Sequence, residues 1–346
     1  MRRLLILGFL GASVIGAAAQ DREGRLIFST MHSEALEKNL LGDPAEVAFV
    51  VYLPPNYDVA PTRRYPVLYL LHGNGGNARR WIDGRYQGLN MKTAMDAAIN
   101  SGRGKEFIVV MPDANTRYGG SHYVNSSVNG NWADFLAGEL VRYIDKTYRT
   151  IPDPASRGLA GHSMGGRGTF FLAATVSGVY GAIYALSAGR MAFEAFPPFD
   201  DATWRRVLTT SDPTALAAPS EVRDALGFAA AYSPNPSKPP LYADFPVEIL
   251  DNQVKVIGSV FDRWIAKDPI TLVAKQPANL RALRAIHFSC GTEDPLIGAN
   301  RLMAAALTAA ALKFTFEEYK GDHSGQIRER IETKVIPMFS SNLAFQ

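Results

Sequence analysis

Cysteine is almost absent: Cys290 is the single one in 346 residues. One thiol forms no internal disulfide, so stability has to come from a packed core. Cys290 sits inside the apolar run IHFSCG and reads as a buried, inert thiol. A charge excess is missing too, with 36 Lys and Arg against 33 Asp and Glu, a formal net charge of +3. Two of the positive charges, Arg2 and Arg3, stand at the extreme N-terminus. No basic stripe points to nucleic acid, and no like-charge block points to a tail. Metal-ligand spacings are lacking as well: His32 and His122 have no companions, and no HExxH, paired-cysteine or EF-hand pattern occurs. No metal or other cofactor is expected. Long apolar runs are confined to the start, MRRLLILGFLGASVIGAAAQ. A basic start, a short apolar stretch and a small-residue end form the pattern of a cleaved secretory signal over residues 1–19, with Gln20 the first mature residue. The run is short for a membrane anchor. The expected protein is therefore secreted or periplasmic, without stable membrane insertion, and its single functional domain covers 20–346.

The remainder, 47% hydrophobic, suits a globular protein. Seven short apolar runs read as strands: 46–53, 66–72, 107–112, 157–162, 181–187, 285–291 and 314–319. Most are apolar throughout, as in strands buried on both faces. Helical patterns alternate with them. WADFLAGELVRYIDKTY (132–148) sets Phe135, Leu136, Leu140, Tyr143 and Ile144 on one face, and 300–313 is rich in Ala and Leu. This alternation predicts an α/β fold with a mostly parallel sheet and helices on both faces. Residues 191–250 break the rhythm, holding nine of the 21 prolines and scattered aromatics. They read either as an irregular surface excursion or as a lid or pocket wall.

The stretch GHSMGG (161–166) lies between a strand, RGLAGH, and a helix start, GRGTFFLAA. A serine on so sharp a turn tolerates no bulk two residues to either side, which Gly161 and Gly165 provide. The following helix turns its free N–H groups toward the serine. Such a serine is a nucleophile only with a base, and the base needs an acid. In this fold the order is serine, acid, histidine. Two histidines follow Ser163. His287 lies in an apolar strand, whereas His323 is in the polar loop YKGDHSG. Glu293 and Asp294, in CGTEDPL, are the acid candidates. Asp322 adjoins His323, but adjacent side chains in an extended loop point apart, which favours Asp294. The oxyanion donors are expected to be the N–H groups of Met164 and of Asn74, in the glycine-bearing loop LLHGNGGN (70–77). His72 is expected to brace that loop. Trp132 and His162 are candidates for substrate contact. Trp132 with Asp134 also fits a helix start, as a hydrophobic staple with an N-terminal acid. Asn125 heads an Asn-Ser-Ser sequon, relevant only in a glycosylating host.

On YPVLYLLHGNGG (65–76), residues 123–150, RGLAGHSMGGRGTF (157–170), DPITLV (268–273), CGTEDPL (290–296) and GDHSG (321–325), the chain resembles the Putative esterase family of α/β-hydrolases over most of 45–340. That family includes S-formylglutathione hydrolases, feruloyl and acetylxylan esterases, and the antigen 85 mycolyltransferases. The resemblance implies Ser163 as nucleophile, Asp294 as acid and His323 as base. It departs from the family where Gly-Gly-His followed by Asp and an aromatic is replaced by Gly321-Asp322-His323-Ser324-Gly325, and in the length of 191–250. Three functions follow as expectations: a serine ester hydrolase acting on carbohydrate or small-alcohol esters, an acyltransferase with a sugar acceptor, favoured by a dry lidded pocket, and a silent carbohydrate-binding scaffold.

Overall fold

The computed structural model describes residues 23–193, 198–211 and 220–346. The expected signal segment, 1–19, lies outside these residues, as do parts of the 191–250 stretch.

Eight strands form one sheet. They are β1 (Arg25–His32), β2 (Glu46–Leu53), β3 (Val67–Leu71), β4 (Ile108–Pro112), β5 (Arg157–His162), β6 (Ala182–Leu186), β7 (Ala285–Gly291) and β8 (Thr315–Tyr319). Their spatial order is β1-β2-β4-β3-β5-β6-β7-β8. The pairs from β4 through β8 are parallel, while β1 pairs antiparallel with β2 and β2 with β4. The central strands are apolar on both faces for a topological reason. In β3, Val67, Tyr69 and Leu71 enter one buried core and Leu68 and Leu70 the other. Successive side chains leave a strand on opposite faces, so a doubly covered strand has no polar face.

The helices follow. They are α1 (Met91–Asn100), α2 (the joined segments Trp132–Asp134, Phe135–Glu139 and Leu140–Thr147), α3 (Met164–Thr175), α4 (Asp201–Thr209) and α5 (Ser220–Tyr232). Then come α6 (Gly258–Ala266), α7 (Pro269–Lys275), α8 (Pro277–Arg281), α9 (Ile297–Ala309) and α10 (Ile327–Arg330, Ile331–Val335 and Ile336–Asn342). Both α2 and α10 carry a one-turn π segment at their middle. Helix α1 packs Met91, Ala94, Met95 and Ala98 on one face of the sheet, together with Ile327, Ile331, Val335 and Phe339 of α10. The opposite face takes α2, α3, α5, α6 and α9. The expected α/β architecture with helices on both faces is the observed one.

Each of the seven expected strands is present within one residue at either end. Strand β1 was not expected. It is an edge strand with an alternating burial pattern and Phe28 53% exposed, so it carries no continuous apolar run. A two-stranded hairpin, Val247–Leu250 with Gln253–Val256, was not expected either. Within 191–250 the described residues hold α4 and α5. Their aromatics turn inward: Phe193, Phe199, Trp204, Phe228 and Tyr232 are buried, and Phe228 stacks on Trp264 of α6 with ring centres 5.5 Å apart. These rings therefore extend the core on that face of the sheet, and only Phe228 of them reaches the cavities beside Ser163.

Candidate active site

The parallel strands end at one edge, and the chemistry-bearing residues gather there. Asn74 follows β3, Ser163 follows β5, Arg190 follows β6, Asp294 follows β7 and His323 follows β8. Loops at the carboxyl ends of an open parallel sheet converge in this way.

Ser163 has φ 56° and ψ −117°, a left-handed conformation that a non-glycine residue adopts only under constraint. The constraint is visible. The Ser163 N–H donates to the Leu186 carbonyl at 3.0 Å, and the Ser163 carbonyl accepts from Gly189 at 2.8 Å. A side chain at Gly161 would place its Cβ 2.5 Å from the Gly165 carbonyl, and one at Gly165 would lie 2.3 Å from the Leu71 oxygen. The two glycines are thus demanded by close approach of backbones. Ser163 stands at the N-cap of α3, yet its hydroxyl caps nothing.

That hydroxyl meets His323 instead. Ser163 Oγ lies 2.9 Å from His323 Nε2, and His323 Nδ1 lies 2.9 Å from Asp294 Oδ2. Nδ1 bears the proton it donates to the carboxylate, which leaves Nε2 as an acceptor for the serine O–H. Asp294 is fully buried and also accepts from the Leu296 N–H at 2.9 Å. Burial alone pushes its pKa up, but the His323 bond and the Leu296 N–H outweigh it and hold the carboxyl below its usual range. The other acid candidates are elsewhere. Glu293 is exposed, and Asp322 Oδ1 accepts from the N–H groups of Ser324 and Gly325, tying the turn that presents His323.

The loop after β3 lies against the serine, with Gly73 so close that a Cβ there would stand 3.2 Å from Ser163 Cβ. His72 is buried and braces it, donating from Nδ1 to the Gly73 carbonyl at 2.7 Å and accepting from Ala114 N–H at Nε2 at 2.8 Å. The Gly73 carbonyl also accepts from Gly76 N–H at 3.0 Å. The peptide that carries Asn74 N–H is therefore held in one orientation. The Asn74 side chain reaches across to α5, donating to Asp224 Oδ1 at 2.6 Å.

Of the two expected substrate contacts, Trp132 is corrected. Trp132 does not line either cavity at Ser163. It is buried against Phe135, and its indole N–H donates to the Asn129 carbonyl at 2.8 Å. The aromatic at a helix start went into the core. His162 does border the serine cleft, but both ring nitrogens are occupied by protein groups. Tyr86 donates its O–H to Nδ1 at 2.8 Å, and Nε2–H donates to the His323 carbonyl at 2.8 Å. Burial, with the neighbouring His323 ring, drops the His162 pKa to about 3, so it stays neutral. It is a positioning residue for the His323 loop. Asn125 is likewise structural, since its Oδ1 accepts from Ala133 and Asp134 N–H groups at 2.9 and 3.1 Å and caps α2.

Two cavities open at Ser163. One, of about 300 Å³, is polar and includes Arg80, Tyr86, Arg190, Glu221, Arg223 and Asp224. The other, of about 370 Å³, includes Met164, Phe228, Pro295 and Leu296 beside His122 and Arg167. Helix α5, in the 191–250 stretch, supplies wall residues to both. Tyr86, Arg190 and Asp224 carried no motif and were not singled out from sequence. Arg167 had one available signal, its place in the first turn of the helix that follows Ser163. Among the described residues no group of His, Cys, Asp or Glu is arranged to hold a metal ion, and no helix is long and apolar enough to cross a membrane.

The sequence model of a family described as Putative esterase matches residues 43–327, which include Ser163, Asp294 and His323. Esterase Rv1288 of Mycobacterium tuberculosis is 36% identical over 129 residues, 37% of this chain and 26% of that protein. An endo-1,4-beta-xylanase/feruloyl esterase of Xylanibacter ruminicola is 35% identical over 142 residues, 40% of this chain and 19% of the relative. The match thus spans about a quarter or less of these relatives' length. A solved ferulic acid esterase superposes with a TM-score of 0.65 at 22% identity, covering 93% of this chain and 100% of the other. At that identity the likeness speaks for the fold.

Proposed function

The chain belongs to the Putative esterase family, and from that premise we propose that it is an exported serine carboxylic-ester hydrolase working through an acyl-enzyme. The observation that carries the reading is the Ser163–His323–Asp294 relay, two contacts of 2.9 Å starting from a serine held in a left-handed turn at a cleft. Ser163 Oγ attacks the ester carbonyl carbon while His323 Nε2 takes its proton. The imidazolium, held by Asp294, returns that proton to the departing alcohol oxygen as the acyl–oxygen bond breaks. Water, deprotonated by the same imidazole, then releases the acid. The oxyanion is received by the N–H groups of Met164, at the start of α3, and of Asn74, whose peptide His72 and Gly76 fix.

Among acceptors, water is favoured over a sugar hydroxyl. One of the two cavities at Ser163 is lined by Arg80, Arg190, Glu221, Arg223 and Asp224, charged groups that favour entry of water, whereas an acyltransferase needs to exclude it. The same polar wall suits a carbohydrate or small-alcohol leaving group. The relative named as a xylanase/feruloyl esterase makes feruloyl esters first substrates to try, beside the acetyl esters that the family resemblance suggests. Export rests on the signal-like pattern of residues 1–19, and residues 20–346 would then form the working domain.

The test is turnover by purified protein from Gln20 onward, wild type beside Ser163→Ala, on p-nitrophenyl acetate, butyrate and octanoate, methyl ferulate and acetylated xylan. Serine-dependent turnover is expected. Undiminished activity of Ser163→Ala would overturn the mechanism. Product analysis with added sugar acceptors separates hydrolysis from transfer.

A further inference from the structure

We infer that the cavity beside Ser163 receives an acyl chain whose far end carries a carboxylate, gripped by Arg167 and His122. The inference rests on the reading of Ser163 as the nucleophile and narrows the substrate class to half-esters of dicarboxylic acids.

Arg167 is 1% and His122 2% exposed, and both reach the wall of the 370 Å³ cavity that Ser163 shares. Arg167 lies in the first turn of α3, just beyond Ser163, and both residues line the same cavity. Its Nη1 donates to His122 Nδ1 at 3.4 Å. That contact places the imidazole proton on Nε2, which is then a donor as well. Nε2 has no partner: the Asp224 carboxylate oxygen is 3.9 Å away, beyond hydrogen-bond reach. Arg167 Nε and Nη2 also have none. Three buried donor nitrogens, Arg167 Nε and Nη2 and His122 Nε2, thus have no acceptor within hydrogen-bond reach, a costly arrangement unless a ligand supplies one.

The aromatic surroundings support the cation but leave this need unmet. The guanidinium carbon lies 4.4 Å from the Phe228 ring centre, 4.5 Å from that of Tyr232 and 5.7 Å from that of Phe193. Rings stabilise a cation through their faces and accept no in-plane hydrogen bond. The empty edge, Nε with Nη2, is the one that grips carboxylates elsewhere in this molecule. Arg25 holds Asp58 through it at 2.8 and 3.0 Å, and Arg301 holds Glu318 at 2.8 and 2.7 Å. A carboxylate has the matching pair of oxygens. Charge agrees. Arg167 and Arg190 face the cavity against a single anion, Asp224, which is itself engaged by Arg190 and Asn74. Behind the rings lies Asp268, the carboxylate whose charge acts most strongly on Arg167; its Oδ2 accepts from Ala192 and Phe193 N–H groups while its Oδ1 has no hydrogen-bond partner, and Lys267 donates to the Ala231 carbonyl. Between Ser163 and the donors, Met164, Phe228, Pro295 and Leu296 offer apolar walls to the methylenes of such a chain.

Two substrates of equal chain length test this: 4-nitrophenyl hydrogen adipate, ending in carboxylate, and 4-nitrophenyl hexanoate, ending in methyl. Wild type is expected to show a kcat/KM at least tenfold higher for the half-ester, and Arg167→Met to collapse that ratio by tenfold or more, whatever its absolute rates. A wild-type preference for hexanoate, or for methyl ferulate with a ratio indifferent to Arg167→Met, would overturn the assignment and leave the three donors to bound water. Should Arg167→Met not fold, binding to folded Ser163→Ala protein decides: calorimetry should find monomethyl adipate bound at least tenfold tighter than methyl hexanoate, and equal affinity would overturn the proposal. Because that measurement needs no turnover, it also separates failure of this site from failure of the nucleophile, which would show as wild-type inertness to both nitrophenyl esters.

Discussion

Single side chains set the chemistry at the serine edge. In the proposed mechanism Asp294 orients: its carboxylate accepts from His323 Nδ1, which leaves Nε2 to take the serine proton. Asp294→Asn presents an amide that stabilises the wrong tautomer, and kcat should fall by about 10⁴ with the fold intact, read by steady-state kinetics beside circular dichroism. His162 holds the His323 carbonyl through Nε2, which ties it to the loop of its neighbour. Its titration has a sign that can be checked. Unfolded, the imidazole takes a proton near pH 6.5, whereas folded and buried it does so only near pH 3. Between those values the unfolded chain binds the extra proton, so stability falls as pH falls, by up to about 1.4 kcal/mol per pH unit. In urea titrations from pH 7 to 4, His162→Phe should lose stability less steeply than wild type. Its kcat should also drop roughly tenfold with little change in KM, as expected when a catalytic base is loosened without touching substrate contacts. An unchanged slope and an unchanged kcat would remove His162 from this role.

At the scale of elements, the strand-to-helix turn between β5 and α3 is the least forgiving place. Gly165→Ala drives a methyl to 2.3 Å from the Leu71 oxygen, on a neighbouring strand that cannot retreat without breaking its ladder. A loss of about 3 kcal/mol or failure to fold is expected, measured by thermal melting and soluble yield. Helix α2 depends on a cap from outside itself, Asn125. Asn125→Ala should cost about 1 kcal/mol in chemical denaturation. Strand β8 and helix α10 are joined by charge: Arg330 grips Glu317 through two bonds of 2.9 and 2.7 Å, and Lys334 adds a third at 3.0 Å. The Arg330 bonds hold the Glu317 pKa down at about 2, from an ordinary 4.5. This contribution is present above pH 4.5 and is lost as the pH falls toward 2.

For the whole molecule, the consequence of having one thiol is direct. Cys290 is fully buried at the end of β7, where burial and then the Asp294 charge push its pKa up to about 12. Thiol reagents should leave native protein unlabelled and modify one thiol after unfolding, and reductant should not shift the melting temperature. Stable labelling of native protein would contradict this packing. Around the sheet, the 191–250 stretch serves two ends at once. Its aromatic cluster anchors it to α6, while α5 delivers Asp224 and Phe228 to the cavities at Ser163.

The pattern of apolar runs determined the parallel sheet, because a strand covered on both faces has to be apolar at every position. Edge strand β1 evaded that logic since one of its faces meets water. Gly-x-Ser-x-Gly marked the strained turn at Ser163 and chain order marked His323 as its neighbour, because a sharp turn and a fixed topology are local or sequential properties. Tertiary structure decided the rest. It sent Trp132 into the core, joined His162 to the His323 carbonyl, and brought His122 and Arg167 from separate elements into one wall. Those assignments depend on which side chains meet across the fold, and a one-dimensional pattern records spacing along the chain but not the partner that satisfies a buried hydrogen bond.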